Sequence, residues 1–128
     1  MATMHVELVS IEAPIWSGEA TAVFGRTTEG DLGVLPGHTP LLGALEPGFP
    51  VRIVRESGED LRIAVHGGFL SVRKDGVSVL AEQAELASDI DVSRARAALS
   101  GTSAEGSPDE VAAHNRALAR LRAAGEQV

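Results

Sequence analysis

The feature that most constrains the fold is a change of rhythm near Glu82. From His5 to about Leu80 apolar side chains return at every second position: Val6 and Leu8, then Leu61, Ile63 and Val65, then Val77 and Val79. Successive side chains of a strand point to opposite faces, so this period describes half-buried strands. Beyond Glu82 the texture turns to Ala, Ser, Glu and Arg, and apolar residues fall three and four apart, the spacing of a helix face. A chain of 128 residues is thus expected to divide into a β domain over residues 1–84 and a helical part over 85–128.

Turn residues punctuate the first part at Pro14, Gly18, Gly30, Pro36-Gly37, Pro47-Gly48, Ser57-Gly58, Gly67-Gly68 and Asp75-Gly76. Many short strands separated in this way predict a sandwich or barrel rather than βαβ units. Asp75-Gly76 predicts a type I′ hairpin between residues 69–73 and 77–80, because both residue types tolerate positive φ. In the second part Asp91 is placed to cap a helix whose face carries Val92, Ala95 and Leu99. Residues 100–107 form a Gly/Ser-rich break, and Ser107-Pro108-Asp109-Glu110 opens a second helix with a cap, a proline in its first turn and acidic residues at its positive end. On that helix Val111, His114, Leu118, Leu121 and Gly125 recur on one face among six alanines. Such thin stripes bury little area against the entropy of ordering the segment, so the helical hairpin is expected to be a docking or mobile element.

Residues 29–42, Glu-Gly-Asp-Leu-Gly-Val-Leu-Pro-Gly-His-Thr-Pro-Leu-Leu, combine three glycines and two prolines with five large apolar side chains. A solvated linker lacks the leucines, and a helix or central strand excludes Pro36 and Pro40. The stretch reads as a stiff, turned segment presented to a partner.

Composition excludes several function classes. A net charge of −7 and a single Lys argue against nucleic acid, whose phosphates need clustered cations. The absence of Cys removes disulfides, thiolate metal sites and thiol catalysis, and fits a reducing compartment. No signal peptide is apparent, and no apolar run nears the roughly 20 residues needed to span a bilayer. The four histidines lie in separate segments with no metal-ligand spacing. His66-Gly67-Gly68 is similar to an oxyanion-hole loop, but without a Gly-x-Ser-x-Gly elbow it reads as a glycine bend between two strands. Gly30, Gly33 and Gly37 are not a phosphate loop, since prolines stand where a helix should begin. Nothing in the pattern describes a catalytic site.

Residues 30–42, together with Gly67-Gly68-Phe69-Leu70-Ser71-Val72, Val79-Leu80-Ala81-Glu82, Asp89-Ile90-Asp91 and a turn at Trp16-Ser17-Gly18, resemble the epsilon subunit of bacterial F-type ATP synthase over nearly the whole chain. The resemblance implies a flattened antiparallel β-sandwich followed by an antiparallel two-helix hairpin. It implies a non-catalytic rotor subunit that binds the gamma subunit and the c ring, with Asp31, Leu32 and His38 as c-ring contacts. Its helices would reach the alpha and beta subunits when extended and restrain ATP hydrolysis. The complex would hold the chain at the cytoplasmic face of the cell membrane. The resemblance implies no metal and no required cofactor, with ATP as a regulatory ligand of some members. The nucleotide pattern falls on Glu85, Ile90, Asp91, Arg94, Ala95, Arg116 and Arg120, with Gly101 where a further arginine stands. A purely structural use of the same residues stays open: Asp91 as a cap, Arg94 paired to a carboxylate, and Arg116 and Arg120 as partners of the helix dipole. A soluble ATP-sensing module is the alternative function.

Overall fold

The structure, a computed structural model, describes residues 2–128. Seven strands come first: β1 (Met4–Ser10), β2 (Pro14–Thr27), β3 (Gly30–Val34), β4 (Leu41–Ala44), β5 (Pro50–Arg55), β6 (Asp60–Arg73) and β7 (Gly76–Leu86). One turn of 3-10 helix, Ala87–Asp89, leads into α1 (Val92–Ser100) and α2 (Pro108–Ala123).

The strands run β1-β7-β6-β5-β2-β3, β4 lies against β6, and β1 also pairs with β2. The path therefore returns on itself, which leaves few open edges. Two strands, β2 and β6, are long enough to serve both layers. β2 pairs with β1 through its first half and with β5 and β3 through its second. β6 pairs with β5 over 60–64 and with β4 over 69–72. All pairs are antiparallel except β1 with β7. The period-two residues point inward: Val6, Leu8, Val23, Val34, Ile53, Ile63, Leu70 and Val79 are fully buried in one aliphatic core. The sandwich followed by a helical hairpin is thus the architecture expected from the rhythm of the sequence.

Several local expectations are corrected. Gly18 and Gly67-Gly68 do not separate strands, since β2 and β6 run through them; the Trp16-Ser17-Gly18 turn is accordingly strand, with Trp16 and Gly18 opposite Leu8 and Val6. The Gly67-Gly68 bend lies inside β6, where Gly67 has φ +72 as the strand passes from one neighbour to the other. The β6–β7 turn is made by Lys74 and Asp75 without positive φ, and Arg73 pairs with Gly76. Gly76 has another purpose. A Cβ there would lie 2.5 Å from the His5 carbonyl oxygen, so glycine lets β1 pair closely in parallel. β7 also continues to Leu86, past the change of composition, because Glu85 and Leu86 still pair with Ala64 and Ile63.

Both helix starts form as read. Asp91 accepts a hydrogen bond from the Arg94 backbone N–H at 3.0 Å, and Ser107 accepts one from that of Glu110 at 3.2 Å. α2 packs on β5 and β6 while α1 packs on α2. The buried side of α2 is Ala117, Ala119, Leu121 and Ala123, whereas Val111, His114 and Leu118 are only half-buried. The helix meets a flat sheet on one side and α1 on the other, and small residues let both come close.

Candidate functional site

Residues 29–42 become an edge strand, a turn and a second strand. Val34 is buried and anchors the segment, and Leu32 is half-buried. Leu35 is exposed at the turn, where the His38 N–H donates to the Leu35 carbonyl at 3.1 Å. The His38 ring nitrogen Nδ1 lies 2.6 Å from the Thr39 carbonyl oxygen, which turns the ring back on its own backbone. Asp31 faces solvent and takes a forked pair from Arg26, at 2.7 and 3.3 Å. That pairing holds its carboxyl below the usual range.

Beyond this segment an apolar row crosses the outer face of the sandwich. Val9 pairs with Leu80, Leu80 with Phe69, and Phe69 with Ala44, all with side chains on the side away from buried Leu70 and Val79. Phe69 is 49% exposed and Leu80 42%, and Ile11 and Leu42 flank them at 79% and 68%. A contiguous apolar patch of this kind on a small chain marks a surface that another molecule covers.

A second group of residues holds the helices down. Ala119 and Ala123 of α2 meet Ala64 of β6, with Ile90 at the border. Arg120 Nε donates to Glu85 Oε2 at 2.6 Å, and His66 Nε2 lies 3.3 Å from the same oxygen. Burial by itself would push the Glu85 carboxyl up, but hydrogen bonds from Arg120 and His66 prevail and hold it below the ordinary range. His66 is pushed the other way from a typical ion-paired histidine. Its burial outweighs the bond to Glu85, and Arg120 and Arg116 add repulsion, so its pKa is lowered and the charged ring is disfavoured. Two residues after Arg120, Arg122 donates to the Gly48 carbonyl at 2.7 Å and lies 4.2 Å from the centre of the Phe49 ring, which Arg26 also approaches at 4.3 Å.

The residues of the nucleotide pattern are thus dispersed among different tasks. Glu85 and Arg120 are joined to each other. Asp91 caps α1, Ala95 is buried between the helices, and Ile90 packs beside Ala64. Arg94 is exposed, and among the described residues neither Arg94 nor Arg116 forms an ion pair. Arg116 instead lines a cleft of about 1150 Å³ between α2 and the sandwich, beside His66, Gln83 and Asn115. Sequence reasoning missed Phe49, Gly48 and Arg122. Their pairing joins a loop to a helix 74 positions later, and no local pattern announces it. Among the described residues no group of three or more His, Asp or Glu side chains is placed to hold a metal.

Fold and surface together describe a β-sandwich with an exposed apolar face and a docked helical hairpin. A family model described as ATP synthase, Delta/Epsilon chain, beta-sandwich domain, matches residues 3–87. Relatives named ATP synthase epsilon chain include one from Streptomyces avermitilis, 53% identical over 95% of both chains. Another, from Mycobacterium avium, is 52% identical over 98% of both. The chain belongs to the ATP synthase epsilon-chain family, bacterial members of which it resembles over nearly its full length. Among solved structures it is similar to a chain of the Euglena gracilis mitochondrial ATP synthase OSCP/F1/c-ring assembly in rotational state 1, at 27% identity and a TM-score of 0.77, covering 98% of this chain and 83% of that one.

Proposed function

We propose that the chain is a non-catalytic central-stalk subunit of a proton-translocating ATP synthase, which couples c-ring rotation to the gamma subunit and regulates ATP hydrolysis through its C-terminal helices. The observation that carries this reading is the division of surfaces. The strands of the sandwich close on themselves with an exposed apolar row on the outer face, while the packed side of α2 is three alanines with Leu121, tied down by a few arginine bonds. A stiff body that transmits force and an appendage that can leave it are what such a role needs.

In this reading residues 1–84 bind gamma and the c ring, with the Phe69–Leu80 row against an apolar partner surface. Asp31, Leu32 and His38 meet polar loops of the ring, and Asp31 exchanges Arg26 for a cation there. Residues 85–128 are the regulatory part, which reaches the alpha and beta subunits once extended. No helix among the described residues is long and apolar enough to cross a membrane; the chain is held at the cytoplasmic face through its partners. A tagged chain purified from membranes is expected to bring gamma, c, alpha and beta subunits with it, and recovery without them sinks the proposal. Assembled enzyme whose subunit ends at Asp89 is expected to hydrolyse ATP faster than enzyme with the full chain. Equal rates would remove the regulatory part of the reading.

A second reading, ATP sensing by the hairpin, is favoured by the position of Arg116 in the cleft four residues before Arg120. Guanidinium groups suit phosphate oxygens. Calorimetric titration with ATP decides it, with Arg94→Ala/Arg120→Ala as the comparison. No heat at millimolar ATP eliminates this reading and leaves the stalk role standing.

A further inference from the structure

The half-buried polar cluster under α2 has one carboxylate for several cationic groups. Glu85 Oε2, on β7, is the hydrogen-bond partner of both His66 Nε2 on β6 and Arg120 Nε on α2. The side chain of His66 is 6% exposed and that of Arg120 26%. Arg116, one turn before Arg120, lines the same cleft, and its charge acts on the imidazole. The remaining charged groups there are Glu82, whose carboxylate lies against Gly67, and Glu12 at the rim. Both are exposed to solvent, which screens them, so they neutralise a charge on His66 far less than Glu85 does.

We propose that Glu85 is the exchange point of a proton-operated latch: with His66 neutral its carboxylate accepts from both His66 and Arg120 and keeps α2 docked, and when His66 takes a second ring proton, on Nδ1, the imidazolium becomes the cation that Glu85 retains and α2 is released with Arg120. The docked arrangement places a protonated His66 between Glu85 and two guanidinium groups, so one carboxylate faces three cations in a half-buried setting. Lifting α2 removes Arg116 and Arg120 and leaves Glu85 to pair with His66 alone. Proton uptake by His66 and departure of Arg120 are thus two sides of one equilibrium.

The direction follows from linkage. The docked state disfavours the charged imidazole, so the undocked state binds the proton more tightly. Docking is complete above the ordinary histidine value and weakens as the pH falls through it. One linked proton changes the docking constant by up to about tenfold per pH unit in that window. The alanine contacts between α2 and β6 are small enough for such a change to matter.

The chain lacks cysteine, so a dye pair on Ser57→Cys in the β5–β6 turn and Ala98→Cys on α1 reports the distance between hairpin and sandwich in the full-length protein. Between about pH 7.5 and about pH 5.5 the distance is expected to lengthen in the otherwise wild-type chain. With His66→Gln, which keeps a hydrogen-bond donor for Glu85 but does not titrate, it is expected to stay short. A distance that ignores pH in the wild type, or the same pH response in His66→Gln, overturns the latch. A second measurement does not depend on that variant folding. Proton NMR of the His66 ring in full-length Arg120→Ala is expected to show titration at higher pH than in the wild type, because Glu85 is then free for His66. An unchanged or lower value overturns it equally.

Discussion

At the scale of single residues, several polar side chains contribute more to this molecule than their exposure pattern suggests. Ser78 alternates with the core residues Val77 and Val79 and so belongs to the outer face, yet it is 2% exposed. Glu7 and Arg73 close over it: its hydroxyl donates to Glu7 Oε1 at 2.6 Å and accepts from Arg73 at 2.6 Å. Ser78→Ala is expected to cost about 1 kcal/mol, near the lower limit for a buried hydroxyl because both partners can turn to water. Urea unfolding should show a lower midpoint with an unchanged slope. Phe49 joins two distant arginines, and Phe49→Leu keeps the apolar bulk while removing the ring face. A loss of about 1 kcal/mol is expected from the two cation–π contacts, one with exposed Arg26 and one with half-buried Arg122, and it should vanish in an Arg26→Ala/Arg122→Ala background when the double cycle is measured. The caps Asp91 and Ser107 were legible in the sequence because capping is local. Phe49 with Arg122 was not, because two residues far apart in the chain meet only after the sandwich has closed.

At the scale of elements, the helical hairpin is the separable part. α2 lies against β6 where Ala119 and Ala64 are both fully buried. Ala119→Leu adds volume where the backbone of the sheet cannot retreat, a cost of about 1–3 kcal/mol in a packed site. Undocking α2 relieves it without opening the sandwich. The expected outcome is loss of amide protection in residues 108–123, with the near-ultraviolet signal of Trp16 unchanged. Loss of both together would mean that hairpin and sandwich fold as one unit. Element boundaries were the least legible feature. β7 runs past Glu82 because Leu86 has a partner in Ile63, and Gly67 does not end β6 because a glycine at φ +72 can redirect a strand as well as stop it. Composition records which residues are available to a strand but not which of them find a neighbour.

At the scale of the whole molecule, the closed path of strands makes the core a single cooperative unit. Leu70 is fully buried in it, and Leu70→Ala is expected to cost about 2–5 kcal/mol in global stability. Leu42→Ala, at a position 68% exposed, is expected to change stability by less than about 0.5 kcal/mol. Thermal unfolding of both variants checks the pair. If Leu42→Ala lowers recovery with membranes while leaving the melting temperature alone, the outer face is a partner surface.

By itself the sequence determined what is short-ranged and periodic. The alternation of Val6, Leu8, Ile63, Val65, Val77 and Val79 dictated strands, the caps at Asp91 and Ser107 dictated helices, and the prolines and glycines of 29–42 dictated a turned segment. Each is specified by neighbours within a few residues, so a linear reading reaches it. Only the tertiary structure decided that β1 pairs with β7 in parallel across Gly76, that Phe69 and Leu80 share an exposed row, and that His66, Glu85 and Arg120 meet at one oxygen atom. Those contacts come from strands and a helix brought together by burial of the common core. The hydrophobic force that does this is non-directional, so it leaves no spacing in the sequence from which the meeting could be read.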